Sequence, residues 1–412
     1  MPTDDEKAMP DVEETTAFQR DLYLYWWAAR ELGELALTTR GFLTRSALRR
    51  LRSQWPVTDD DRPEPSDSRR YFLRRLLERL GLLRAPTEPS KASANGGLVS
   101  ADTEIMARFL AHPLAERLRI CTRLWVAGGW WPDGNPTRVT TGLHTPIQPR
   151  IALARRRLIE LLAALEPGSP VEIPGVQIVE DHAPRIIGAT TRRKPRDIAD
   201  ERNETMRVAL AGPLQWMGLV VRRDIDGSGE RRIVASHAVL ALRNGPDDES
   251  VCEAPGRVII QPNLDIVAYQ PLTAPTFFTL DRCATRVSLD RVAHYRLIRN
   301  DATRAQQNGW SEDDIAQRLE TLTGSPLPGA VRVRLADWTR AASRIRLTPQ
   351  ATLLTTSTPA LLDTLLADRA ARGWVLRRLG PTLALAQTDK LESLRHWLLA
   401  HGELPAVESV EQ

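Results

Sequence analysis

This chain of 412 residues has little lysine, little cysteine and no long apolar run. Only four of its 56 basic residues are lysine: Lys7, Lys91, Lys194 and Lys390. A P-loop needs a lysine directly after glycine, so that the ammonium reaches the outer phosphates of a nucleotide. The residues before the four lysines are Glu6, Ser90, Arg193 and Asp389, so no such cradle is encoded. Cys121, Cys252 and Cys283 show no CxxC and no metal-ligand spacing. An odd count in a long chain argues against a disulfide scaffold, and all three read as buried free thiols. No apolar run reaches the ~18 residues of a membrane helix. The opening MPTDDEKAMPDVEETT has neither the basic nor the apolar part of a secretory signal. Residues 1–15 therefore read as a disordered leader on a cytoplasmic protein with no membrane contact.

Catalytic signatures are equally scarce. There is no HxxxH and no GxSxG. His182, beside Glu180 and Asp181 in VQIVEDH, reads as part of a solvated loop rather than a general base, a metal site or a Walker-B strand end. The expectation is a protein that is not an enzyme, with no catalytic residue, no metal and no cofactor.

What the chain has is arginine. The net charge is only +4, but nearly all of the basic charge is guanidinium. Its planar fork suits phosphate; a GC-rich genome produces the same bias, and composition does not choose between them. AFQRDLYLYWWAARELGEL reads as a helix with Phe18, Leu22, Trp26 and Ala29 inward. A turn at Gly41 and a Thr44 cap then start a second helix through Leu48 and Leu51. SRRYFLRRLLERLGLL is a third, with Phe72, Leu73, Leu76, Leu77 and Leu80 as its apolar face and Arg69, Arg70, Arg74, Arg75 and Arg79 on the remaining surface. Three helices followed by a return through short strands is the order of a winged helix, whose third helix would read the major groove. The alternative is three ordinary helices with a solvated arginine face. Trp130 and Trp131 read as a hydrophobic plug rather than a base-stacking platform.

The pattern repeats further on. A helix runs through Ile151, Leu158 and Leu162, a basic loop PRIIGATTRRKPRD follows, and a helix ends near Gly218. Two strands then flank the DGSG turn at Asp226 to Gly229, placed as a wing would be. The segment Arg243–Gly256 is rich in glycine, proline and acid and reads as a linker. The expected domains are residues 16–135 and 145–243, both winged-helix-like, and an α+β domain over 256–404. The whole chain reads as α+β. Candidate nucleic-acid contacts are Arg45, Arg49, Arg69, Arg70, Arg74, Arg192, Arg193 and Lys194.

The last domain opens with RVIIQPNLDIVAYQP, two strands around a Pro262-Asn263 turn. Later, Ser311 and Asp314 form the pattern of a capping box. The order VIIQPNLDIVAY, YRLI, ATRAQQNGW, SEDDIAQRLETLTGSPLP resembles the helicase-associated domain found near the N-terminus of the xeroderma pigmentosum group B helicases. Val258 to Asp265, Tyr295 to Leu297, Ala305, Gly309, Ile315 to Leu322 and Leu327-Pro328 carry the likeness; Ile298 stands where that family prefers threonine. AGPLQWMGLVV is similar to the tandem winged-helix segments that precede this module in stand-alone bacterial proteins. The resemblance implies a non-catalytic accessory subunit that binds DNA and docks a helicase or nuclease subunit. Two other classes stay open: a protein–protein scaffold without DNA, and a winged-helix transcription regulator. The oligomeric state is not legible.

Overall fold

The organisation turns on the first helix. α1 (Val12–Leu32) carries Glu13 and Glu14 in its first turn, where carboxylates suit the helix dipole. Its apolar side chains do not keep to one stripe: Phe18, Leu22, Tyr23, Leu24, Tyr25, Trp26, Ala28 and Ala29 are all buried. A helix that is apolar nearly all round belongs inside a core, with other elements on several sides. The computed structural model describes residues 12–38, 42–53, 67–85, 97–100, 103–131, 147–172, 198–224, 231–246, 248–254, 256–290, 292–342 and 351–403. It is a mixture of helices and small antiparallel sheets, as expected for α+β.

The chain divides into two compact units, Met1–Thr339 and Arg340–Gln412. In the first, α1 is followed by β1 (Leu35–Ala36), α2 (Arg45–Ser53), α3 (Asp67–Arg79), β2 (Leu83–Arg84) and β3 (Gly97–Ser100). β3 lies between the other two strands, with Leu35 opposite Leu98 and Leu83 opposite Ser100. α4 (Thr103–Leu110) and α5 (Leu114–Ala127) come next. α6 (Pro149–Ala164), α7 (Ile198–Ala211), the short α8 (Pro213–Trp216) and the ribbon β4 (Val220–Asp224) with β5 (Arg231–Ala235) repeat the same order, closed by α9 (Leu240–Asn244). An isolated bridge from Pro170 to Val234 of β5 stands where the first copy has β1. At the end of α8, Gly218 adopts φ 76°, and a Cβ there would stand 2.5 Å from the backbone nitrogen of Thr15. Only glycine lets α8 lie this close to the start of α1.

Two buried features hold these parts together. Arg155 of α6 is 1% exposed. Its guanidinium donates to the carbonyls of Trp125, Gly128 and Trp131, so it satisfies the end of α5. Trp130 and Trp131 are buried against Phe72 of α3, consistent with the plug reading.

The first unit continues with β6 (Val258–Ile260), β7 (Asp265–Tyr269), α10 (Ala274–Cys283), β8 (Thr285–Leu289) and β9 (Val292–Arg296), forming a sheet of order β6-β7-β9-β8. α11 (Arg299–Gln307), α12 (Glu312–Thr323) and α13 (Gly329–Ala342) follow. α12 starts with the expected capping box of Ser311 and Asp314 and ends at Gly324 in the left-handed region. The second unit has a small core around Leu365, Leu394 and Trp397. It is built from β10 (Ala351–Thr355), α14 (Pro359–Ala367), α15 (Arg369–Arg372), β11 (Val375–Arg378), β12 (Leu383–Gln387) and α16 (Leu391–Ala400), with β12 central in its sheet.

The expected boundary at Gly256 is corrected: the division falls after Thr339, and residues 256–339 share a core with α1. The segment 243–256 is no open tether either, since Val251 is buried and Glu253 pairs with the buried Arg117. Polar composition concealed this, because one apolar and one ionic anchor suffice to pin a short segment. Residues 12–15, expected in a disordered leader, belong instead to α1, and Thr15 is buried.

Candidate functional site

The sequence pointed to α3 as an arginine-bearing surface, and its helical spacing is as expected. The surroundings are not. Arg70 and Arg74 are 5% and 3% exposed, and Arg75 is buried beside them. Glu78, one turn on, draws Arg74 to 3.2 Å and Arg75 to 2.6 Å. Arg74 also lies over the ring of Tyr71, 5.1 Å from its centroid, and Arg69 donates to Asp21 of α1 at 2.7 Å. With Tyr71, Phe72, Leu76 and Leu77 buried too, α3 is enclosed on both its apolar and its arginine side. Arg70 and Arg74, expected as nucleic-acid contacts, are buried instead, and Arg74 pairs with Glu78. Sequence spacing could not separate the cases, because Arg-x-x-x-Glu is common on solvated helices too.

Arg45 and Arg49 are exposed, one turn apart on α2. The Thr44 hydroxyl accepts from the Ala47 amide at the start of this helix, and its first turn holds no acid. Arg50 instead donates to the Leu32 carbonyl at 2.8 Å. On the ribbon, Arg223 and Arg232 are exposed and directly opposite each other. Arg192, Arg193 and Lys194 lie outside the described residues, as do Glu180, Asp181 and His182.

A second locus was not anticipated. Tyr23 of α1 donates to Asp281 of α10 at 2.8 Å, and the Arg286 guanidinium of β8 binds the same carboxylate. Arg286 Nε also lies 3.2 Å from the Tyr295 hydroxyl of β9. Burial pushes the phenols of Tyr23 and Tyr295 well above their usual range, so both remain proton donors. Burial also works against the charge on Arg286, but the adjacent carboxylate of Asp281 holds its pKa above the ordinary value. This arrangement joins α1, α10, β8 and β9 through one buried charge pair.

Beside it lies a narrow cleft with room for about one water molecule, formed by Trp26, Trp27, Arg30 and Glu31 of α1, Thr103 of α4, Phe278, Asp281 and Arg282 of α10, and Arg304 and Asn308 at the end of α11. Arg30 is held over Trp26 and Trp27, 5.7 and 5.6 Å from their centroids, and donates to the Thr103 hydroxyl. The Arg282 side chain is 6% exposed. It bonds to the Asn308 carbonyl, reaches Glu104 at 3.3 Å and stacks on Trp310 at 4.4 Å. Its Nε has no hydrogen-bond partner. Trp310 carries a second guanidinium, Arg318, at 4.5 Å. Three of its charges are already balanced: Asp281 by Arg286, Arg304 by Asp301 at 2.7 Å, and Arg282 by Glu104.

Cys121 and Cys283 are buried, which pushes both thiols up to about 12 and keeps them unreactive. Cys252 is exposed, contrary to the expectation of three buried thiols. Among the described residues, no group of three or more His, Cys, Asp or Glu side chains could hold a metal ion, and no helix is long and apolar enough to cross a membrane.

Residues 258–380 match the model of a family described as the helicase conserved C-terminal domain. The match covers less than a third of the chain, from β6 to just past β11. It agrees with a helicase-associated segment in this part of the sequence. No curated protein matches the chain.

Proposed function

We propose that this protein is a non-catalytic, DNA-binding accessory of a helicase or nuclease, related in its last third to the xeroderma pigmentosum group B helicases. The observation that carries the reading is the helicase-domain match over residues 258–380. A chain whose four lysines all lack a preceding glycine has no P-loop of its own to drive such a domain. Tandem winged helices are supported by topology: a helix, two further helices and two paired strands occur twice, with β1 paired to β3 in the first copy and only an isolated bridge, Pro170 to Val234, in that place in the second. In this reading α3 holds the place of the groove-reading helix, but it is buried. DNA contact therefore falls to Arg45 and Arg49 of α2 and to Arg223 and Arg232 of the ribbon. The absence of acid from the first turn of α2 leaves its N-terminus favourable to a phosphate.

Phosphate contacts release counterions, so binding weakens with salt at a slope of roughly −0.9 in log K per log salt for each duplex contact. Arg45→Ala with Arg49→Ala is expected to flatten that slope by up to about two contacts on every sequence, with the melt unchanged. An anisotropy salt series reads this directly. An unaltered slope in the folded double variant would take α2 off the DNA surface. The purified chain should also hydrolyse no ATP, with or without DNA; turnover abolished by Glu180→Gln would reverse the non-catalytic reading.

A second reading, a protein–protein scaffold, draws on the other unit. Leu353, Leu376 and Leu379 around its sheet are 58%, 47% and 48% exposed. Failure of the wild-type protein to bind duplex, forked or single-stranded DNA at low salt would favour it.

A further inference from the structure

Helix α6 contains three arginines in a row, Arg155, Arg156 and Arg157, and the fold separates them. Arg155 turns inward with Ala154, Leu158 and Leu162, and its bonds to the end of α5 fix the rotation of the helix about its axis. Arg156 and Arg157 are thereby turned outward. Arg150, at the second position of the helix, is exposed on the same side, since 150, 153, 156, 157, 160 and 164 follow one another at steps of three and four. Elsewhere in this part of the chain exposed and buried arginines take acids from their own or the next helix. Arg119 and Arg123 share Glu116, Arg207 has Glu204, and Arg243 has Glu166. Arg150, Arg156 and Arg157 make no ion pair or hydrogen bond among the described residues. Glu160 is the one acid on this side, and it lies C-terminal to the arginines, the less favourable order for pairing along a helix. The first turn of α6 holds no acid and its cap residue Gln148 makes no side-chain capping bond. Cations therefore gather at the end of the helix whose dipole is already positive. A local rule broken without an internal compensation marks a functional surface.

We infer that the outer side of α6 is a further DNA contact, with Arg150, Arg156 and Arg157 on the phosphates of a duplex backbone. The inference rests on the DNA-binding reading above and adds a third element to α2 and the ribbon. Charge complementarity carries it: unpaired guanidiniums on one side of a helix match a polyanion, and their planar forks match phosphate oxygens. Seven residues separate Arg150 from Arg157, roughly 10 Å of helix. Laid along a duplex, that span covers about three phosphates of one strand. The Arg155 anchor holds α6 in place beforehand, so binding orders only side chains. Leu153, 51% exposed among the arginines, offers phosphate nothing; an acidic protein helix would use it.

The experiment uses the full chain and a short labelled duplex in an anisotropy salt series. Arg150→Gln, Arg156→Gln and Arg157→Gln together should flatten the slope of log K against log salt by up to about 2.7, at roughly 0.9 for each duplex contact. The loss should add to that of the α2 double variant, because the two helices act on separate phosphates. Leu153→Ala should leave the slope as it is. Melts of each variant control for folding; if the triple variant melts lower, the three single variants replace it, each expected to flatten the slope by up to about 0.9. A wild-type slope in the folded triple variant overturns the α6 contact and leaves the DNA reading standing on α2 and the ribbon. The same result, with binding of a poly-glutamate peptide lost in the triple variant and weakened by Leu153→Ala, overturns it in favour of an acidic protein partner. A wild type that binds no duplex at low salt overturns both the contact and the reading on which it rests.

Discussion

A fragment that begins at Gly256 is expected to lose the fold of residues 258–339, although it contains most of the helicase-like match. The reason is the N-terminal helix. Tyr23 of α1 donates to Asp281 and lies 6.3 Å, centroid to centroid, from both Phe277 and Phe278. Without α1, the buried faces of Phe277 and Phe278 meet water, at about 1.5–3 kcal/mol per large apolar side chain. The Asp281–Arg286 pair loses its cover and one of its donors. Unfolding free energies of whole domains are only about 5–15 kcal/mol, so losses of this size remove most or all of the margin. Hydrogen exchange checks it by segment. Amides of β7 and β9, such as those of Ile266 and Tyr295, should be protected in the full chain and exchange rapidly in the fragment. Residues 351–403, which have their own core around Leu365 and Trp397, should keep their protection. Full protection of β7 and β9 in the fragment would show that α1 is dispensable to them.

Replacing Arg74 and Arg75 together by alanine is expected to damage the fold rather than DNA binding. Both pair with Glu78, whose side chain is 4% exposed. Alanine leaves that carboxylate buried without the two guanidiniums that balance it. Breaking a buried pair from one side typically costs about 3–5 kcal/mol. In a unit of this size that corresponds to a drop in Tm of roughly 4–7 °C. Alanine is the best helix former, so the loss reports the ion pairs and not helix propensity. Thermal melts with a salt-series binding control distinguish the outcomes. An unchanged Tm with a flattened salt slope would return α3 to the DNA surface.

These two results bear on what could be read without a structure. The α+β class, the apolar spacing of α3, the capping box at Ser311 and Asp314 and the ribbon between Val220 and Ala235 all follow from local rules of spacing, capping and turn chemistry. The helicase-like segment was legible for the same reason, since its signal is an order of short local patterns matched over residues 258–380. Its missing P-loop was legible too, because that motif is contiguous. Among the candidate site residues, Arg45 and Arg49 are on the surface and Arg70 and Arg74 inside, yet all four occupy polar positions of amphipathic helices. Which polar face meets solvent depends on what packs there, and Glu78 and Tyr71 count as partners only once α3 is enclosed. The cleft was invisible for a related reason: Trp27 and Arg30, Thr103, Arg282 and Asn308 are separated by up to hundreds of positions and meet only when α1 is seated on α10. Sequence by itself determined the elements and the family likeness of the last third. The tertiary structure alone decided that α1 ties that third to the beginning of the chain, because burial and charge pairing between distant segments leave no local periodicity to read.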